Sequence, residues 1–150
     1  PREALQAAEK ALQHFKAVRD RGGMALALHA KARIHLKLGT TAHSRWALHH
    51  LEKALDLLKQ RGDTKREASA LLLLSRVHLQ RQEYQDAYAF AVGAAKLAQS
   101  NGHAPEEAAG MKEIAHVLLL SRGDADRAAQ FAQDAAEIYR HMEDWLSEIS

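Results

Sequence analysis

The sequence predicts an all-α protein: an α-solenoid of antiparallel helix hairpins stacked side by side, forming one domain over residues 1–150. Three observations carry that prediction. Hydrophobic residues make up 47% and charged residues 27%, yet aromatics are 5% and prolines number two. The apolar share is therefore mostly Ala and Leu, which favours helix over sheet. Alanine pairs seven residues apart recur as Ala4 with Ala11, Ala47 with Ala54, Ala87 with Ala94, and Ala128 with Ala135, at successive offsets of 43, 40 and 41 residues. A steady period of this length marks a supersecondary unit used repeatedly. Finally, Gly39, Gly62, Gly102 and Gly123 each follow a run with helical apolar spacing, where glycine can take the left-handed conformation that closes a helix.

The elements follow in order. Helices are expected near 3–20, 24–38, 42–60, 65–81, 84–100, 105–121 and 124–141. "AEKAL" at Ala8–Leu12 returns as "LEKAL" at Leu51–Leu55, placing the first and third helices in one frame. The second, fourth and sixth helices show apolar spacings of three and four. "LLLL" at Leu71–Leu74 is apolar all round, so the fourth helix should be central, with one leucine free to face a groove. Pro105 with Glu106 and Glu107 opens the sixth helix: proline fits a first turn, and carboxylates favour the positive helix end. Short polar turns make neighbours antiparallel. The chain starts at Pro1 and stops within "DWLSEIS", which reads as the start of a further helix from Asp144 with Trp145 in its first block. The expectation is a segment of a longer polypeptide: the second helix of one hairpin, three full hairpins, and a stub of the next.

These residues resemble the tetratricopeptide repeat, a helix–turn–helix unit with two small residues seven apart in its second helix. The best single unit is Leu71–Leu97, with small Ser75 in the first helix, Tyr84 opening the second, then Ala87 and Ala94. Gly123-Asp124, Ala128 and Ala135 match in the last unit. The period of 40–43 departs from the usual 34 and is similar to the long repeats of kinesin light chains, spindle-orientation adaptors and bacterial maltose regulators. Three further departures stand out. The middle slot between the paired alanines holds Ala8, Leu51, Ala91 and Ala132; "TTAHS" adds roughly three residues after Gly39; and His116 takes a slot where a small residue is usual. The resemblance implies a right-handed solenoid whose first helices line a concave surface. Transferred slot by slot, it turns His29, Arg33 and Lys37, then Leu72, Arg76 and Gln80, then Glu113, Val117 and Ser121 toward the groove.

Chemistry is harder to find. With no cysteine there is neither a disulfide nor a thiolate site, which suits a reducing, cytoplasmic setting. Basic residues number 21 against 19 acidic, too even a balance for nucleic-acid binding. No run approaches the roughly 18 apolar residues of a membrane span. Ten histidines invite a metal reading, which usually needs three or four convergent ligands, but none form an i,i+4 pair beside a glutamate on one helix; His43, His49 and His50 form a loose cluster in which the adjacent pair points in different directions. His35 and His78, each two residues after the arginine of its hairpin, are read as packing or surface residues. "RGD" at Arg61–Asp63 is a helix end and turn. No phosphate loop, dinucleotide fingerprint or nucleophile motif occurs, so neither catalytic residue nor cofactor is expected.

The expected function is therefore non-catalytic. Arg33 and Arg76 repeat at equivalent points of adjacent hairpins beside leucines, a pattern suited to a protein or peptide partner with acidic and apolar side chains. The alternative is a sensory or regulatory module of a larger signalling or transcription protein. An RNA-reading repeat needs a base-reading side chain in every unit, and Val117 breaks the series. Exposed end helices would also allow self-association.

Overall fold

A computed structural model describes residues 1–149. Among them it holds seven helices and no strand: α1 (Arg2–Ala17), α2 (Arg21–Leu38), α3 (Thr41–Arg61), α4 (Thr64–Gln80), α5 (Tyr84–Ser100), α6 (Ala104–Arg122) and α7 (Ala125–Ile149). The expected stops are where the glycines are. Gly39, Gly62 and Gly123 end α2, α3 and α6 at φ between 61° and 69°, a conformation that costs a residue with a Cβ more than glycine. Starts are set by side chains that accept backbone N–H groups. Asp20 accepts from Gly23 at 3.0 Å, Thr40 from His43 at 3.3 Å, and Asp63 from Arg66 at 3.2 Å.

Three boundaries differ from the sequence expectation. α1 ends at Ala17 rather than near residue 20, where Asp20 already caps the next helix. α2 begins at Arg21 rather than Met24, so Gly22 and Gly23 lie inside the helix. The start is set by the Asp20 cap, and contact explains the glycine: a Cβ on Gly23 would stand 2.2 Å from the Phe15 ring, so glycine lets α1 and α2 close. At the other end, α7 runs unbroken to Ile149, with no separate helix opening at Asp144. After Gly123 the chain offers neither glycine nor proline to break it. Trp145, read from the sequence as part of the first block of a further hairpin, is 60% exposed on this helix.

Packing is sequential. Each helix contacts its chain neighbours, and α4 also touches both α2 and α6. No comparable contact joins α3 to α5 or α5 to α7 among the described residues. The first helices of successive hairpins are therefore drawn together on one side, and the second helices diverge on the other. This arrangement is compatible with a helical repeat, and it places α2, α4 and α6 on a shared surface.

The alanine frame is the joint of the stack. Ala47, Ala54, Ala87, Ala94, Ala128 and Ala135 are all buried. Ala4 and Ala11 are not, because α1 has only α2 along it. Methyl-sized side chains let helix backbones approach closely. Leu51 fills the middle slot of α3, while the same slot of α5 holds Ala91, and both are fully buried. Gly110 continues the theme in α6, where a Cβ would meet Ala95 Cβ at 2.8 Å. Ser75 fits the small slot of α4 and donates from Oγ to the Ala87 carbonyl at 2.7 Å, so the tight contact also satisfies its hydroxyl.

Candidate functional site

α2, α4 and α6 present a row of polar and apolar side chains on their shared side, and the expected groove residues divide sharply there. Arg33 and Lys37 are exposed, and neither has an ion-pair partner among the described residues. His29 is half-buried beside Arg33. Burial, then the Arg33 charge, pushes its imidazole below the ordinary range, which keeps it neutral.

Arg76 is exposed but committed. Its Nε donates to Glu113 Oε2 at 3.2 Å, bridging α4 and α6. Glu113 is 6% exposed, and its Oε1 is buried without a partner. The pair therefore neutralises the second rung of the expected basic strip. Gln80 donates from Nε2 to the Leu36 carbonyl at 3.3 Å and accepts from Ser44 Oγ at 3.5 Å, tying α4 to the α2–α3 hairpin.

Three expected groove residues lie elsewhere. Leu72 is 6% exposed and Val117 1% exposed, both in the core. A helix turns about 100° per residue, and the leucine run gave no polar marker with which to orient it. Ser121 lines a depression of about 330 Å³ with Tyr84, Tyr88 and Arg127, away from the α2–α4–α6 surface.

Two depressions shape the shared surface. One, of about 250 Å³, is lined by Leu26, His29, Arg33, Arg66 and Ser69 between α2 and α4. The other, of about 390 Å³, is lined by Leu36, Arg76, Leu79, Glu113, His116 and Leu120. Leu26 and Leu120 are exposed large apolar side chains, so both wells offer unsatisfied hydrophobic surface. Sequence reasoning missed Leu26, Arg66, Leu79 and Leu120. Helical spacing held the signal: Leu26 precedes His29 by three, Leu79 follows Arg76 by three, and Leu120 follows Glu113 by seven. Arg66 carries a local ion pair with Asp63 at 3.1 Å and still lines the first well.

The surface holds charge, a neutral imidazole and apolar wells. Comparison of the chain with protein-family models and with curated proteins finds no match. No helix among the described residues is long and apolar enough to cross a membrane.

Proposed function

We propose that this chain is a right-handed solenoid of the tetratricopeptide type and serves as a non-catalytic protein–protein interaction scaffold. Its ligand is an extended or helical peptide lying across α2, α4 and α6. The carrying observation is Arg33, an exposed guanidinium with no acidic partner among the described residues, at the rim of a well that also holds exposed Leu26. An unpaired arginine beside apolar surface suits a carboxylate next to a large apolar side chain, because bidentate hydrogen bonding orients the acid while the leucine covers its neighbour. Arg76 takes a different part from the one the sequence suggested: with Glu113 it braces two hairpins, and Leu79 and Leu120 supply a second apolar well.

The test is a synthetic peptide array scanned for acidic and apolar positions, followed by fluorescence anisotropy on the best binder. Arg33→Glu should weaken that binder roughly 10–100-fold, the value of a charge-assisted hydrogen bond replaced by repulsion. An array on which acidic positions make no difference would overturn the reading.

A further inference from the structure

The insertion that lengthens the first full hairpin brings a histidine with it, and the repeat frame shows what it replaces. In the second hairpin His78 ends α4, its Nδ1 lies 2.6 Å from Glu83 Oε2, and its ring stacks on Phe90 with centroids 5.2 Å apart. This is an ordinary closure, with a carboxylate on one side and an apolar ring on the other. His35 is its counterpart 43 residues earlier. The 40-residue offset that relates Ala47 to Ala87 also relates His43 to Glu83 and His50 to Phe90. Both neighbours of His35 are thus histidines where the second hairpin has Glu83 and Phe90.

The geometry follows the substitution. His35 Nδ1 and His43 Nδ1 lie 2.8 Å apart, so one nitrogen carries a proton and the other offers its lone pair. The His50 ring stacks on His35 at 5.5 Å and on Trp46 at 6.0 Å, fixing the plane of the buried His35. His35 and His50 are 8% and 7% exposed, and His50 Nδ1 is buried without a hydrogen-bond partner. His43 is only half-buried, which leaves a path from solvent.

We propose that His35 and His43 bind one divalent transition-metal ion through their Nδ1 atoms at the α2–α3 turn, the proton they share passing by way of solvent to Nε2 of the ring that carried it. The two nitrogens at about 2.0–2.1 Å from one ion, spaced as here, subtend roughly 85° at it, the cis angle of a tetragonal centre. That angle, with imidazole donors, selects Cu(II) ahead of Ni(II) and Zn(II), which is also the intrinsic affinity order for copper. Solvent completes the coordination, since the His50 ring is stacked beside His35 and serves to orient it. Lys31 faces the cluster from α2 but is paired with Glu9 of α1, which offsets its charge.

Chelator-treated protein titrated with CuCl2, and separately with ZnCl2, should take up one Cu(II) per chain, more tightly than Zn(II). Electron paramagnetic resonance of the copper form should show hyperfine splitting from two imidazole nitrogens. His43→Ala should weaken the copper site by more than roughly 10-fold, while His141→Ala, at an exposed position on α7, should not change it. Binding that survives His43→Ala, or copper spread over several weak histidines, would overturn the proposal. Should His43→Ala lose helicity, the spectrum of the unaltered protein decides: two equivalent nitrogens support the site, and any other count refutes it.

Discussion

Ala87 and Ala94 are fully buried where α5 meets its neighbours, and each leaves room for a methyl group and no more. Replacing either with leucine forces the helices apart, a cost of about 1–3 kcal/mol. For a chain of this length that shift is roughly 2–4 °C in Tm per kcal/mol, readable in a thermal melt. An unchanged melt for both variants would show that the alanine register is wrong. Gly110→Ala should cost a similar amount, because the new Cβ meets both backbone and side chain of Ala95, neither of which can rotate away. The alanines were legible in the sequence through their spacing. The glycine was not: nothing local distinguishes it from a helix-weakening glycine, and its reason lies in α5.

The turns show the same division. The α4–α5 turn has no glycine: Gln82 takes a left-handed φ of 61°, and Glu83 holds the turn by pairing with His78 and with Arg81 Nε at 2.8 Å. Those hydrogen bonds, His78 first, hold the Glu83 carboxyl below its ordinary value of 4.5. Its folded pKa is depressed, so its contribution is complete above the ordinary carboxylate range and is lost as pH falls through the lower folded value. Urea midpoints should therefore separate Glu83→Gln from the unaltered chain at pH 7, and the gap should narrow in acid. On α2 the sign is tied to an imidazole held neutral. His29 lies below its ordinary 6.5, so between 6.5 and the folded value the unfolded chain binds a proton the folded chain does not. Stability should fall as pH drops below about 6.5, and because burial holds His35 low and His50 at about 4 as well, His29→Gln should remove only its own share of that slope in the same urea series. A slope unchanged by the variant would mean that His29 is not the group responsible. Helix positions were readable from caps and periodicity. The early start of α2 and the continuity of α7 were not, because in the first the glycine pair obscured the Asp20 cap, its reason lying in Phe15 across the hairpin, and the second turns on a stop signal that is not there.

Across the whole molecule, each helix is covered mainly by its chain neighbours, so protection should be highest where neighbours stand on both sides. Hydrogen exchange read by mass spectrometry should be slowest in α3, α4 and α5, and faster in α1 and in the part of α7 that carries exposed Tyr139, Trp145, Leu146 and Ile149. Uniform protection along the chain would contradict a stack of nearest-neighbour interfaces. By itself the sequence determined that the chain is helical, where most helices begin and end, and which alanines form the joints. Those properties follow from local propensity and from a period short enough to read along the chain. Only the tertiary structure decided which surface residues act together. It committed Arg76 to Glu113 and left Arg33 free, turned Leu72 and Val117 into the core, and set His35 against His43. Each of these outcomes depends on how one helix is rotated against another. That angle is fixed by the sum of small contacts across the stack, and no single segment of sequence records it.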